Sequence, residues 1–252
     1  MEAADRLSVG ITGGNGFIAH HLAAALANKG VETSLLTREQ HNLLTPHGYL
    51  DEFMSNNTAV VHTAAVNRGT DEEIIAGTVI PIYNLLQAAK VSKIRPKIIF
   101  LSSTQAETDT VYGKSKWLAE KMLEDCSRRE GFKNSVFRIA NVFGENGRPF
   151  YNSVIATFCH QAAKGEQFTV NPSKQTFNFV YVGDVVKRII QEVAAKREEN
   201  FFFERVISKN EISVPDLAQT IQSFSNVQNI DELKSQFHKD LYRTYCSYLK
   251  RK

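Results

Sequence analysis

Residues 7–30, LSVGITGGNGFIAHHLAAALANKG, decide the fold class of this chain. The first six form an apolar run typical of a buried strand, and a glycine turn leads into a helical pattern that ends at Gly30. Gly14-x-Gly16-x-x-Ala19 in that turn satisfies the Gly/Ala form of the dinucleotide-binding fingerprint. The glycines let the backbone approach a pyrophosphate, and the helix N-terminus offers that anion free N–H groups. We therefore expect a dinucleotide site at this first strand–helix junction.

The next part of the chain keeps alternating strands with helices. Near-continuous apolar strands with helices between them are typical of a doubly wound parallel sheet covered on both faces. We accordingly predict a Rossmann-type α/β fold, with 1–145 as the dinucleotide-binding core. The predicted strands are 31–37, 59–65, 97–103 and 135–140, and the predicted helices are about 72–91 and 110–130.

Regularity is weaker beyond about residue 145. We expect 146–252 to be mainly a small C-terminal substrate-binding lobe, interleaved with the core. Ser213, with Asp216 three residues later, predicts a capping box that opens a helix. The other elements predicted here are a helix over 151–165, strands near 167–170 and 177–182, a helix after VGDVV, a strand at FFFERVI and a terminal helix.

Composition excludes several functional classes. A net charge of +3, from 30 Lys+Arg and 27 Asp+Glu, is too weak and dispersed to indicate nucleic-acid binding. Three cysteines without C-x-x-C spacing leave one unpaired in any disulfide scheme, so we expect reduced thiols in a cytoplasmic protein. We expect no signal peptide and no membrane span. Seven histidines show no metal-ligand spacing, and we predict no metal.

The choice of dinucleotide depends on the end of the second predicted strand. NAD sites commonly carry Asp or Glu there, whereas this chain has Thr37 and Arg38. A guanidinium suits a ribose 2′-phosphate, so NADP(H) is favoured over NAD(H). The alternative is an exposed arginine paired with Glu39. The other residues predicted to contact the cofactor are Gly13, Gly14, Asn15, Gly16, Phe17, Ile18, Ala64 and Ala65.

Residues 102–116, SSTQAETDTVYGKSK, follow a strand that ends where doubly wound sheets bind ligands. Tyr112 and Lys116 are four positions apart and share a helix face. A neighbouring ammonium would favour the phenolate of a tyrosine and bring its pKa closer to the working range. Thr104 could then bond a substrate oxygen as charge develops on it.

Six motifs in this order resemble the extended short-chain dehydrogenase/reductase superfamily. That resemblance covers about residues 10–190 and implies Thr104, Tyr112 and Lys116 as the catalytic residues, with Tyr112 and Lys116 also contacting the cofactor. Its members act mainly on nucleotide sugars, commonly as homodimers. The motifs are TGGNGFIA (12–19), VVHTAA (60–65), LSST (101–104), YGKSK (112–116), RIANVFG (138–144) and FVYVGDVV (179–186).

A narrower resemblance, through VNRG, NVFG, YNSVIATFC and DLYRTYCSYL, is to the reductase domain of capsular-polysaccharide UDP-sugar reductases. It implies NADPH-dependent reduction of the C4 ketone of a UDP-2-acetamido-2,6-dideoxy-hexos-4-ulose. Bacterial members continue into a metal-binding cupin domain that epimerises the sugar first. The sequence ends at Lys252, where that domain would begin, so the chain is either a stand-alone reductase or a piece cut from a longer protein. In both cases we expect the reduction alone in these residues.

Further polar residues are candidates for binding the sugar nucleotide, and each has an ordinary structural alternative. Asn141 could hold a diphosphate or bond its own turn, and Asn152 could simply cap a helix. Arg68 could be a solvated loop residue. The full set predicted to bind substrate is Asn67, Arg68, Ser103, Thr104, Asn141, Arg148 and Asn152.

Two other functions stay open. One is a nucleotide-sugar 4-epimerase or dehydratase that uses NAD, although Gln105 and Ala106 stand where a dehydratase usually has an acidic pair. The other is a non-catalytic dinucleotide-binding regulator or scaffold on the same fold.

Overall fold

The computed structural model describes residues 7–39, 41–45, 48–170 and 172–249. The strands are β1 (Ser8–Thr12), β2 (Glu32–Leu36), β3 (Ala59–His62), β4 (Lys97–Ser103), β5 (Asn134–Ile139), β6 (Asn141–Phe143), β7 (Thr176–Tyr181), β8 (Phe201–Val206) and β9 (Glu211–Ser213). The helices are α1 (Phe17–Ala27), α2 (Tyr49–Ser55), α3 (Asp71–Val91), α4 (Val111–Glu130), α5 (Val154–Lys164), α6 (Val182–Ala194), α7 (Val214–Gln222) and α8 (Gln236–Cys246).

The described chain divides into two compact units. The first contains the described residues up to Ile139 together with Val186–Arg205, and the second contains Ala140–Val185 and the described residues from Val206 onward. The boundary therefore lies a few residues before the predicted position at 145. The chain also returns to the first unit once, because β8 pairs at the edge of its sheet.

The first unit is built on a six-stranded sheet in the order β2-β1-β3-β4-β5-β8. Strands β1 to β5 pair in parallel, with Val9 opposite Thr33 on one side and Ala59 on the other. The doubly wound parallel sheet predicted from the sequence is confirmed. Chain direction across the sheet reverses between β1 and β3, and ligands of such sheets bind outside the carboxyl ends of the strands at that point.

Burial explains why these strands lack the alternation of half-exposed ones. All four residues of β3 are buried, and so are Val9 and Ile11 of β1. Helix α1 covers the sheet with Ala19, Leu22 and Leu26, a spacing that places them on one helix face. The strand ends that carry the glycine turn are thus held by a packed core.

Helix α3 begins with a full capping box. The Thr70 side chain accepts from the backbone N–H of Glu73, whose carboxylate accepts in return from the backbone N–H of Thr70. By length and composition alone α3 could cross a membrane, but core helices pass the same test. In this structure Ile82, Leu85 and neighbouring residues of α3 are buried in the core of the first unit.

The second unit has its own small sheet and core. Strand β7 pairs in parallel with β6 and antiparallel with β9, and α5, α7 and α8 supply most of the apolar cluster. Ser213 caps α7 by accepting from the N–H of Asp216, which is one half of the predicted capping box. The Asp216 carboxylate accepts from the Ser213 hydroxyl instead of the Ser213 backbone N–H. The short elements α2, β6 and β9 were not predicted, because three to seven residues show too little periodicity.

The strand predicted at 167–170 is wrong. In the described residues this stretch has no regular structure, although Phe168 and Val170 pack against the core of the second unit. Phe168 stacks on Phe158 of α5 with ring centroids 4.8 Å apart. The apolar side chains therefore serve packing rather than strand pairing.

Candidate active site

The turn after β1 is shaped for close approach of a ligand. Gly13 has φ +71°, and a Cβ there would lie 2.8 Å from the backbone nitrogen of Ala64, so only glycine fits. The N–H of Gly14 donates to the Leu36 carbonyl at 3.1 Å, and the N–H of Gly16 donates to the Gly13 carbonyl at 2.7 Å. These bonds fix the loop between the ends of β1 and β2.

The start of α1 is open to an anion. Gly16 is its N-terminal cap, no side chain caps the helix, and no acidic residue stands in the first turn, where Phe17 and Ile18 lie. No acidic side chain in the first turn of α1 therefore neutralises the positive end of the helix dipole. A pyrophosphate fits these residues.

Beside the loop lies an open cavity of about 120 Å³ within the first unit. Four of the predicted cofactor residues line this cavity, which supports the dinucleotide interpretation. They are Gly13, Arg38, Ala64 and Ala65. His41 and Asn42 also line it and were not predicted, since no motif marks them. The remaining lining residues are Leu36, Leu43, Leu44, Val66, Gly77 and Pro81.

The polar groups at the mouth of the cavity are specifically arranged. Asn15 donates through Nδ2 to Glu39 Oε2 at 2.8 Å, so Glu39 is engaged by the glycine-rich loop. His41 stacks on Tyr49 with ring centroids 3.9 Å apart. Arg38 is exposed beside them.

Ser103, Tyr112 and Lys116 come together where β4 meets α4. The Ser103 hydroxyl lies beside the Tyr112 phenol and acts to lower the pKa of that phenol. Lys116 is buried, donates to the Leu101 carbonyl at 3.1 Å, and lies 5.8 Å from the Tyr112 ring centroid. One hydroxyl, one phenol and one ammonium thus occupy the carboxyl end of β4.

Thr104 occupies a different position from Ser103. It begins a 3₁₀ turn over Thr104–Glu107, and the Ser103 hydroxyl caps that turn by accepting from the N–H of Gln105 at 3.1 Å. Both residues are partly exposed. The Tyr112 contact that the structure contains is made by Ser103.

The glycine of YGKSK is also required by packing. A Cβ on Gly113 would lie 2.2 Å from the carbonyl oxygen of Gln105. The start of α4 can therefore approach the 3₁₀ turn this closely only because residue 113 is glycine. Thr110 caps α4 by accepting from the N–H of Gly113 at 3.0 Å. This close approach brings Tyr112 to Ser103.

Burial sets the protonation behaviour of these groups. It raises the pKa of Tyr112 above its usual value of 10, and the hydrogen bond from Ser103 opposes that rise. Burial lowers the pKa of Lys116 to about 8, while the charge of Glu120 opposes that fall. The expected depression of the tyrosine pKa is therefore not found in the protein alone, because burial of the phenol dominates.

His62 lies at the end of β3 and was not predicted as a site residue. Its Nδ1 is 2.7 Å from the Thr12 hydroxyl, and its Nε2 is buried with no partner among the described residues. Burial, with the charge of Lys116, lowers its pKa to about 3. A neutral His62 therefore ties β3 to the start of the glycine turn at neutral pH.

The predicted substrate residues fall in both units. Asn67 and Arg68 are exposed in the loop after β3, in the first unit. In the second unit, Asn141 of β6 donates to the Asn178 carbonyl at 3.2 Å, and Arg148 lies over the Tyr151 ring at 4.8 Å.

Asn152 is exposed just before α5, whose cap is Ser153 rather than Asn152. Phe150 has φ +56°, which is uncommon for a bulky residue, and its side chain is 63% exposed. This conformation was not predicted from the sequence. Among the described residues, no group of three or more His, Cys, Asp or Glu side chains is placed to hold a metal ion.

The chain is similar in sequence and in fold to known proteins. The chain is 34% identical over 248 residues to the UDP-2-acetamido-2,6-beta-L-arabino-hexul-4-ose reductase of Pseudomonas aeruginosa, covering 96% of this chain and 65% of that protein. Its structure is similar to that of the capsular polysaccharide assembling protein CapF from Staphylococcus aureus, with TM-score 0.80 and 27% identity over 97% of this chain and 65% of that one. The chain thus spans about two thirds of the length of both relatives.

The UDP-N-acetylglucosamine 4-epimerase of Bacillus cereus shares the fold, with TM-score 0.80, 22% identity and coverage of 95% of this chain and 96% of that one. Residues 9–201 match the family described as NAD dependent epimerase/dehydratase. That match includes β1 to β5, the glycine-rich turn and the Ser103–Tyr112–Lys116 cluster. The chain belongs to the NAD dependent epimerase/dehydratase family.

Proposed function

We propose that this chain is an NADPH-dependent reductase of the C4 ketone of a UDP-2-acetamido-2,6-dideoxy-hexos-4-ulose, used in surface-polysaccharide synthesis. The observation that carries the proposal is the Ser103–Tyr112–Lys116 cluster at the carboxyl end of β4, in the same unit as the dinucleotide cavity. The Pseudomonas aeruginosa relative, named as a reductase of such a UDP-hexulose, supports the choice of substrate.

In this proposal Tyr112 is the general acid. A nicotinamide held here would supply the hydride for the ketone carbon, and the Tyr112 hydroxyl would give its proton to the ketone oxygen. A raised pKa suits this role, because the phenol keeps its proton through the neutral range. Lys116 stabilises the phenolate that the proton transfer leaves behind. Ser103 and Thr104 are the two candidate hydroxyls for holding the ketone oxygen, and the contact with Tyr112 favours Ser103.

We propose that Asn67 and Arg68 of the first unit contact the substrate. Within the second unit, Asn141, Arg148 and Asn152 stay the candidate residues for binding a sugar nucleotide. Arg148 is held over Tyr151, and this cation beside an aromatic ring is suited to a diphosphate with a pyrimidine base.

NADPH is preferred to NADH in this proposal because of Arg38. It lines the cavity beside the glycine-rich loop, while the neighbouring carboxylate of Glu39 is bonded to Asn15. A 2′-phosphate there would meet the guanidinium. The proposed holders of the dinucleotide are Gly13, Gly14, Asn15, Gly16, Phe17, Ile18, Arg38, Ala64, Ala65, Tyr112 and Lys116.

We further propose a cytoplasmic homodimer. Helices α3 and α4 expose large apolar side chains, among them Ile75 and Tyr83 on α3 and Trp117 and Leu118 on α4. Such a surface suits a second copy that contributes the same two helices. The buried free thiols of Cys126 and Cys159 suit a reducing compartment.

The nucleotide-sugar epimerase remains the second candidate, because epimerases share the fold. A dehydratase is disfavoured, since Gln105 is exposed and Ala106 is buried in the turn after Ser103 and neither can act as an acid. The presence of Tyr112 and Lys116 side by side on α4 disfavours a purely regulatory role.

The test is a panel of UDP-4-keto sugars with NADPH, in which cofactor oxidation is followed at 340 nm and product configuration by NMR. We expect stoichiometric NADPH consumption and a single 4-hydroxy epimer. Tyr112→Phe should lower kcat by about 10²–10⁴-fold while NADPH binding is retained. Interconversion of 4-hydroxy epimers without net cofactor oxidation would indicate the epimerase instead.

A further inference from the structure

Glu120 lies on α4, four residues after Lys116, and its carboxylate is buried behind the candidate active site. Oε1 accepts from the Ser102 hydroxyl at 2.5 Å and from Arg138 Nε at 2.9 Å, and Oε2 accepts from Arg138 Nη2 at 2.5 Å. A carboxylate with this much burial is held in one position by its partners.

The two partners of Glu120 face each other in the sheet. Ser102 on β4 is in register with Arg138 on β5, so the carboxylate of Glu120 clamps one cross-strand pair. Arg138 also reaches Glu107 at 2.9 Å, and Glu107 accepts from Arg205 of β8. The network therefore joins α4, β4, β5 and β8 to the 3₁₀ turn that contains Thr104.

Ser102 is the residue between two active-site contacts. The carbonyl of Leu101, just before it, accepts a hydrogen bond from the Lys116 ammonium, and the hydroxyl of Ser103, just after it, lies beside Tyr112. A bond that fixes Ser102 therefore also fixes the backbone from which both contacts are made. Neither contact involves Glu120 directly.

Glu120 also acts on Lys116 through its charge. Lys116 is fully buried, and burial drives it toward the neutral amine. The groups that face it are Glu120 and Tyr112 on α4, His62 on β3 and the Phe100 ring on β4. Since His62 is neutral at working pH, Glu120 is the anion that favours the ammonium, while Arg138 balances part of its charge.

We propose that Glu120 is a positioning residue for the reduction, which keeps Lys116 in its ammonium form and holds β4 so that Ser103 and Leu101 make their contacts. The proposal rests on the proposed reductase function. It adds to that function a third residue of α4, at the spacing Tyr112-x₃-Lys116-x₃-Glu120, that touches neither substrate nor cofactor.

The chain contains a matched control in Glu192 on α6. Glu192 is equally buried and bonds a serine of β5, Ser135, at 2.8 Å and an arginine, Arg197, at 2.7 Å. Ser135 lies near the start of β5, at the end opposite Arg138. Loss of either carboxylate removes a similar buried network, but of these two charges only that of Glu120 acts on Lys116.

The experiment compares Glu120→Gln with Glu192→Gln. For Glu120→Gln we expect kcat/KM at pH 7.5 to fall at least tenfold, with NADPH affinity changed less than threefold. The alkaline limb of kcat/KM should move down by about 0.5–1 pH unit, because an opposite charge near Lys116 is lost. Glu192→Gln should lose comparable thermal stability and keep both the rate and the alkaline limb.

A second variant separates the charge of Glu120 from its bond to β4, and a second measurement tests the effect of that charge directly. Ser102→Ala keeps the charge of Glu120 and removes only its bond to β4, so kcat should fall while the alkaline limb stays in place. The pKa of Lys116, measured by NMR on ¹³C-lysine-labelled protein and assigned with Lys116→Met, should be lower in Glu120→Gln than in wild type. This measurement needs no substrate, so it separates failure of the Glu120 role from failure of the proposed function.

Three results would overturn the role of Glu120. One is an unchanged pKa of Lys116 in Glu120→Gln. Another is equal loss of kcat and an equal pH shift in Glu192→Gln, which would show general destabilisation. The third is full activity of Ser102→Ala, which would remove the link through β4.

Discussion

The Ser103 hydroxyl lies beside the Tyr112 phenol, while Thr104, the next residue, begins the 3₁₀ turn that Ser103 caps. Two neighbouring hydroxyls therefore have different surroundings. A hydroxyl beside the proposed acid is placed to hold the oxygen that this acid would protonate.

The first prediction separates these two hydroxyls. Ser103→Ala should lower kcat by about 10²-fold, since one donor to the developing oxyanion is lost. Thr104→Val should change kcat by less than fivefold. Steady-state rates with the UDP-4-keto sugar and NADPH decide between them, and a larger loss for Thr104→Val would restore Thr104 as the catalytic hydroxyl.

The second prediction concerns the pH dependence of the wild-type enzyme. The pKa of Lys116 is lowered to about 8 in the folded protein, so the ammonium is present below that pH and is lost above it. We therefore expect kcat/KM to fall above about pH 8, since that profile reports free-enzyme groups.

The lowered pKa of Lys116 also makes the stability of the folded chain depend on pH. The unfolded chain keeps its lysine proton up to its ordinary pKa of 10.5, so between about pH 8 and 10.5 it binds more protons than the folded chain. Over this interval the contribution of Lys116 to the free energy of unfolding should rise with pH. Thermal unfolding of wild type against Lys116→Met would reveal this difference, and a flat difference would contradict the lowered pKa.

The third prediction tests the choice of cofactor. Arg38→Ala should raise the KM for NADPH at least tenfold and leave the KM for NADH within threefold, because only the 2′-phosphate meets the guanidinium. Glu39→Gln is the matched control, because it neutralises a charge in the same turn. This substitution should not weaken the binding of NADPH. Binding is followed by cofactor fluorescence. A preference of the wild type for NADH would refute the role given to Arg38.

The fourth prediction tests the proposed dimer. Tyr83 and Trp117 are 52% and 43% exposed on α3 and α4. Changing both to Glu should convert the dimer to monomer in light scattering, because burying two charges in an apolar interface is unfavourable. Ile207→Glu alters an equally exposed residue of the second unit and should leave the dimer intact. A monomeric wild type would rule out this interface.

Much of the first unit could be predicted because its signals are local. The run before Gly13, the fingerprint around Gly16 and the four-residue spacing from Tyr112 to Lys116 depend only on strand and helix periods. The predicted bounds of β4 and α3 differ from the observed ones by one residue at most. By contrast, 167–170 has the composition of a strand and forms none, because no partner strand adjoins it and Phe168 packs on a helix instead.

The sequence by itself determined the order of strands and helices, the glycine turn for a dinucleotide and the shared face of Tyr112 and Lys116. Only the tertiary structure decided which hydroxyl meets Tyr112, and that Glu120 closes on Ser102 and Arg138. The reason is that these contacts depend on the register of β4 with β5 and on how closely Gly113 lets α4 approach the turn. Those quantities are set by packing between segments far apart in the chain, and no local pattern encodes them.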